Sequence, residues 1–159
     1  MRIDRCERRI AVTPERLYHA LTDREMVERW LPPEGARGVV EAFEPRPGGA
    51  FRMTLVFDVA DGDSVGKTND NTVVVEGAFV ELVPERLVRQ RFEFRSDDPA
   101  FAGTMVMTWT LVPHADGTGV IVTAENVPPG IRPEDHQAGL TSSLANLAAC
   151  VEQQDLPGG

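Results

Sequence analysis

Two short helical segments stand between the first and second strand-like segments of this sequence, and their position limits the folds open to the chain. Thr13 is followed by Pro14, a residue favoured in the first turn of a helix. Thr22, with Glu25 three residues later, predicts a capping box for a second helix, and Pro32 ends that helix. The order predicts two small helices inserted into a structure built mainly from strands.

Apolar and polar residues alternate with a period of two in most of the chain between these helices and the final segment. Phe51 and Met53, for example, alternate with Arg52 and Thr54, as expected for a strand with one apolar face. Short turns join most of these segments, which indicates an antiparallel meander. The predicted strands cover residues 3–12, 39–43, 51–58, 72–83, 87–95, 104–112 and 118–126.

The last segment has helical spacing instead. Pro133 opens it, and a single apolar stripe follows at Leu140, Leu144, Leu147 and Val151. A helix of about 20 residues would measure on the order of 30 Å, which is enough to cross a sheet. We predict one domain over residues 1–155 and a frayed tail at 156–159.

Composition excludes several classes of partner. The net charge of −9 and the isoelectric point near 4.8 argue against nucleic acid and anionic membranes. No apolar run approaches the roughly 20 residues of a membrane span, and the N-terminus lacks the apolar core of a signal peptide. We therefore expect a cytoplasmic protein whose two cysteines, Cys6 and Cys150, are free thiols.

Several stretches resemble the family named for the activator of Hsp90 ATPase, within the START-like and Bet v 1-like (SRPBCC) superfamily. The resemblance covers almost the whole chain. It implies an α+β helix-grip fold, in which a curved seven-stranded antiparallel sheet surrounds a long C-terminal helix, with two short helices between strands 1 and 2. The matching stretches are residues 20–30 (ALTDREMVERW), 46–51 (RPGGAF), Gly77 with 81–87 (ELVPERL), and Gly117-Thr118.

The resemblance implies that this chain binds a hydrophobic or amphipathic small molecule in a cavity between the sheet and the C-terminal helix. Where the family often has Gly-Trp early in that helix, this chain has Gly139-Leu140. The smaller side chain either enlarges the pocket or lets it collapse. We expect the cavity to be lined by large apolar residues and one histidine: Trp30, Phe51, Met53, Phe57, Phe92, Phe94, Met107, Trp109, His136, Leu140 and Leu144.

Polar residues that could orient a ligand or move a proton are few. His136 lies four residues before Leu140, so it either points into the cavity mouth or is solvated in the first helical turn. Gln90 and Glu125 are the other candidates, and a buried Glu125 could act as a general acid or base. We predict no catalytic constellation, no metal site and no cofactor.

The loop at residues 61–68 (DGDSVGKT) imitates two ligand-binding motifs without completing either. A phosphate-binding loop would need glycine at Asp61, and a calcium loop counted from Asp61 would need an oxygen ligand at Val65 and a glutamate at Thr72. We interpret this stretch as a solvated hairpin loop.

Three functions therefore remain open. The leading hypothesis is binding of an apolar or amphipathic small molecule. The first alternative is a cyclase or hydrolase-like enzyme that uses the same cavity, with His136 or Glu125 as its ionisable group. The second is a module that interacts with an Hsp90-type chaperone, because the resembled family is named for such a partner.

Overall fold

The computed structural model describes residues 2–32, 36–57, 72–94, 99–101 and 103–154. The loop at 61–68 and the tail at 156–159 lie outside these ranges. Helices α1 (Pro14–Thr22) and α2 (Arg24–Trp30) follow the first strand, and α3 (Pro133–Gln154) ends the described chain. The strands are β1 (Ile3–Ile10), β2 (Ala36–Phe43), β3 (Ala50–Phe57), β4 (Thr72–Val83), β5 (Leu87–Phe94), β6 (Thr104–His114) and β7 (Gly117–Glu125), with a 3-10 helix at Pro99–Phe101.

The seven strands form one antiparallel sheet in the order β1-β7-β6-β5-β4-β3-β2. Strands β2 to β7 pair as a meander, and β1 closes the far side against β7. Together with the two small helices and the long C-terminal one, this confirms the predicted α+β helix-grip fold. None of the described helices combines the length and apolar character that crossing a bilayer requires.

The ends of several strands differ from the prediction for local reasons. β1 stops at Ile10 because the chain then folds back, with the Val12 amide donating to the Ile10 carbonyl at 2.9 Å. β7 ends before Asn126, whose positive φ of 59° leaves the extended region. β6 continues to His114, which pairs with Gly117 across a two-residue turn.

The predicted capping box at the start of α2 is wrong. Thr22 is the last residue of α1, and its hydroxyl donates to the Tyr18 carbonyl at 2.7 Å. Asp23 caps α2 instead, with its carboxylate accepting from the Met26 amide at 3.1 Å. Thr13 caps α1 as expected, accepting from the Arg16 amide at 3.3 Å. A carboxylate outcompetes a hydroxyl here because it also complements the positive end of the helix dipole.

Helix α2 is attached to the free edge of the sheet at β2. The Val40 amide donates to the Glu28 carboxylate at 2.7 Å, and the Arg24 guanidinium donates to the Val40 carbonyl. Strand edges that expose such groups are templates for unwanted pairing. Here α2 satisfies both groups, and β2 is further irregular between Val40 and Ala42.

Helix α3 lies along β1, where its apolar stripe joins the core. Leu140, Leu144, Leu147 and Val151 are all almost fully buried. Burying one such side chain contributes roughly 1.5–3 kcal/mol, so the stripe is the main attachment of the helix. Among the side-chain contacts, the Asn146 amide donates to the Pro32 carbonyl at 3.2 Å, which ties α3 to the end of α2.

A three-residue cluster fastens the start of α3 to β1. The Arg2 guanidinium donates to both oxygens of Asp4, at 2.8 and 3.2 Å, and to the Ile131 carbonyl just before the helix. His136 Nδ1 lies 2.6 Å from Asp4 Oδ2. The bonds from Arg2, and then that from His136, hold the pKa of Asp4 below its ordinary value against the opposing effect of burial. An ionised carboxylate only accepts, so Nδ1 carries the proton.

Asp4→Asn is expected to destabilise the fold at neutral pH by about 1.5–3 kcal/mol, the range for hydrogen bonds to charged groups. Because the folded-state pKa of Asp4 is depressed, its stabilising effect is complete above the unfolded value near 3.9 and is lost as pH falls through the folded value. Urea unfolding at pH 7 and at successively lower pH should therefore show the wild type converging on the variant below about pH 4.

The matched control for that measurement is Asp116→Asn. Asp116 lies 3.6 Å from Arg9 with 73% of its side chain exposed, and exposed pairs contribute little. A loss of stability in Asp4→Asn that stays constant across the whole pH range would contradict the role given to its carboxylate.

Asp23→Ala is expected to cost about 1 kcal/mol of unfolding free energy, the usual effect of removing a helix N-cap. Glu25→Ala should change stability by less than about 0.5 kcal/mol, because Glu25 is exposed and takes no part in the observed cap. Thermal or urea unfolding measures both. Equal losses in the two variants would favour the capping box over the Asp23 cap.

Candidate functional site

The inner face of the sheet is mainly apolar on β3, β5, β6 and β7. On β5, Val88, Gln90 and Phe92 share this face, and on β6 it carries Met107 and Trp109. The face divides into two chemically different regions. Towards β1 and β7 it is aliphatic, and in the middle it is aromatic and rich in methionine.

Aromatic rings meet edge to face in the middle region. Trp30 at the end of α2 packs on Trp109, with ring centroids 5.2 Å apart and planes at 79°. Phe51 and Phe92 meet at 5.5 Å, across Gly77, which pairs with both. A Cβ atom at Gly77 would lie 1.8 Å from the Arg91 carbonyl oxygen. Glycine therefore lets β4 and β5 approach closely beneath the two phenylalanines.

A cavity of about 40 Å³ lies between these aromatic rings and the two small helices. A cavity of roughly 10–15 Å³ already holds one water molecule, whereas an engineered apolar cavity of about 150 Å³ holds benzene. In the conformation described, this cavity therefore has room for very few heavy atoms. Its lining residues are Leu21, Val27, Trp30, Leu31, Phe51, Val88, Gln90, Phe92, Met107 and Trp109.

Gln90 is the polar side chain in that lining, and it is 8% exposed. Within the described ranges, its amide forms no side-chain hydrogen bond. The Trp30 indole differs, since its N–H donates to the Ala20 carbonyl at 2.9 Å. The Gln90 side-chain amide can therefore both donate and accept a hydrogen bond within the cavity.

Only some of the residues predicted to line a cavity lie at the cavity described above. Trp30, Phe51, Phe92, Met107 and Trp109 come together around the cavity. Met53, Leu140 and Leu144 are buried in the core but do not line it. The side chains of Phe57 and Phe94 lie outside the described part of the chain. Leu140 packs within the core.

The described cavity differs in position from the predicted one, because no residue of α3 lines it. Four of the lining residues were not predicted from the sequence: Leu21, Val27, Leu31 and Val88. A signal for Val27 was present in the sequence, since this residue lies three positions before Trp30 and so on the same helical face. This helical spacing does not show which helix lies over the aromatic strands, because that depends on the tertiary structure.

The ionisable candidates lie elsewhere. His136 is 14% exposed and contacts Asp4, so it is neither solvated nor at the cavity. Glu125 faces away from the buried Val122 and Ala124, on the outer side of the sheet. Burial raises the pKa of the Cys150 thiol, which favours its unreactive form. Within the described ranges, no group of three His, Cys, Asp or Glu side chains could hold a metal.

A larger depression of about 960 Å³ lies outside the sheet, where the start of α1 meets the turn after β4. Its lining mixes acidic and basic side chains with prolines, including Glu15, Arg16, Pro84 and Glu85. It is open to solvent and lacks the aromatic enclosure of the inner cavity. We therefore assign the candidate site to the smaller, buried space.

Comparison with solved structures gives the same fold over nearly the full chain. A protein of Chromobacterium violaceum is 33% identical, with a TM-score of 0.82, covering 94% of this chain and 96% of its own. The AHSA1 protein of Silicibacter pomeroyi is 22% identical, with a TM-score of 0.77, covering 96% and 99%. An AHSA1-like protein of Aeromonas hydrophila is 18% identical, with a TM-score of 0.73, covering 99% and 97%.

None of the curated proteins compared with the chain is significantly similar to it. The family model described as activator of Hsp90 ATPase homolog 1-like protein matches residues 11–152. That range includes α1, α2, the strands from β2 to β7 and most of α3, and therefore all the residues that line the cavity. The fold of this family generally binds hydrophobic ligands. The chain therefore belongs to the activator of Hsp90 ATPase homolog 1-like family.

Proposed function

We propose that this protein binds a hydrophobic or amphipathic small molecule in the cavity between α1, α2 and the aromatic part of the sheet. The observation that carries the proposal is an incompletely filled space in the part of the core where the side chains are largest. Trp30, Trp109 and their neighbours meet edge to face, and rings in that arrangement leave room beside them.

Binding requires the cavity to open, because about 40 Å³ is too small for an organic ligand. Two lining residues are suited to this. Met107 and Leu31 are both only half-buried, and methionine is the most adaptable apolar side chain in a core. Leu31 follows the last residue of α2, so it can move without displacing a strand. A ligand would enter by moving these two side chains and would replace the contacts they make.

Apolar burial would supply most of the affinity. Burying roughly 200 Å² of a two-ring hydrocarbon contributes about 5 kcal/mol at 25 cal/mol per Å². That alone corresponds to a Kd of about 0.2 mM. Tighter binding therefore needs either a larger ligand or a polar contact as well.

The two alternative functions have less support. Proton transfer by His136 or Glu125 in this cavity has none, because neither side chain lines it. A chaperone partner is suggested by the family description alone. An unchanged rate of a purified Hsp90-type ATPase on addition of this protein would count against that partner.

Isothermal titration of the protein with naphthalene tests the proposal. We expect saturable binding to the wild type with a Kd of about 0.2 mM or weaker, because apolar burial is the main favourable contribution and opening the cavity opposes it. Leu31→Trp should weaken it at least tenfold, because the larger side chain fills the space from a half-buried position.

Val112→Trp is the control for that titration. It places the same large side chain on the outer face of β6, where Val112 is 37% exposed, and should leave naphthalene binding unchanged. Binding that is absent from the wild type, or equal in wild type and Leu31→Trp, would rule out the cavity as the site. Independently of this titration, native mass spectrometry of the protein purified from its own host would identify the class of any ligand that co-purifies with it.

A further inference from the structure

We propose that the Gln90 amide is the specificity-determining group of this cavity and that it selects a neutral, flat ligand carrying a cyclic amide edge. This deepens the proposed function and rests on it. The chemical class is that of lactams fused to an aromatic ring. Such ligands present one N–H and one carbonyl side by side, which matches the adjacent donor and acceptor of a glutamine side chain.

The position of Gln90 in the sheet makes it part of the floor of the cavity. It lies between Phe79 on β4 and Met107 on β6 in the backbone register. Its immediate inward neighbours along β5 are Val88 and Phe92, both buried and both lining the same space. The amide therefore stands in the middle of an apolar surface and not at its rim.

The side-chain amide of Gln90 has no hydrogen-bond partner among the described residues. The residue as a whole is more than nine-tenths buried. Its polar atoms are not sealed by protein, since the described residues contain no fully enclosed side-chain nitrogen or oxygen that lacks a partner. They are therefore open to the cavity. A partner-free amide that faces a cavity can bind a ligand without breaking a contact of the fold.

The charge of the lining limits the ligand further. None of the described residues that line the cavity carries a charge at neutral pH. A carboxylate or ammonium group would have to leave water with no opposite charge to meet it, which is strongly unfavourable. Two hydrogen bonds with a neutral amide edge avoid that cost and satisfy both groups.

The shape of the lining favours a planar ring. Phe51 and Phe92 stand close together on the floor, and Trp109 meets Trp30 of α2. Aromatic side chains in these orientations accept a further ring by edge or offset stacking. A flat ligand can thus insert between floor and helix while its amide edge faces Gln90.

Two ligands of nearly equal shape test this assignment. Carbostyril is the benzo-fused cyclic amide, and naphthalene is its hydrocarbon counterpart. Titrations of wild type and Gln90→Leu with both ligands give a ratio of affinities for each protein. We expect Gln90→Leu to weaken carbostyril at least tenfold and to leave naphthalene equal or tighter. Gln137→Leu, the same change at an exposed position of α3, should alter neither.

Stability without ligand gives an independent readout. Gln90→Leu exchanges an amide without a protein partner for an apolar side chain between Val88 and Phe92, so the variant should melt at or above the wild-type temperature. A glutamine that served only the fold, directly or through a fixed water, would instead lower the melting temperature when replaced.

The outcomes separate the two proposals. If wild type binds naphthalene and carbostyril with the same affinity ratio as Gln90→Leu, the role of Gln90 is wrong while the binding function stands. If neither ligand binds the wild type, the binding function itself fails and the Gln90 assignment fails with it. A lower melting temperature in Gln90→Leu, with no change in ligand preference, identifies a structural glutamine and also overturns the assignment.

Discussion

The attachment of α2 to the β2 edge is the constraint on which the candidate site depends. Glu28 and Arg24 satisfy both backbone groups of Val40 and so fix this seven-residue helix to the sheet. A helix this short is not stable by itself, because nucleation is costly and few hydrogen bonds repay it. Held at the edge, it projects Trp30 onto Trp109. These two polar contacts at the sheet edge therefore help to hold the α2 side of the cavity in place.

The inner face serves two purposes that need different side chains. Against α3, aliphatic residues interlock with the stripe from Leu140 to Val151, and the cluster of Arg2, Asp4 and His136 fastens the start of that helix. Under α2 the residues are aromatic or flexible and leave space. The long helix thus acts as the rigid support of the fold. The end of α2, where half-buried Leu31 and Met107 line the cavity, is the part best placed to yield to a ligand.

Gln90 illustrates how a binding group can oppose stability. An amide among Val88, Phe92 and Met107 gains nothing from the fold in the described conformation, because no described residue pairs with it. Leucine would fill a similar volume and add apolar contacts with the same neighbours. Natural proteins retain such groups mainly where function requires them, and removing them commonly raises stability at the expense of activity.

Much of the fold could be predicted from the sequence because its signals are local. Alternation assigned Phe51 and Met53, and Val88 with Phe92, to single strand faces, and the four-residue spacing of Leu140 and Leu144 defined the stripe of α3. Only the tertiary structure decided that Asp23 caps α2, that His136 pairs with Asp4, and that the described cavity lies under α2 and not α3. Each of these depends on which elements meet in space, and the period of a sequence carries no information about that.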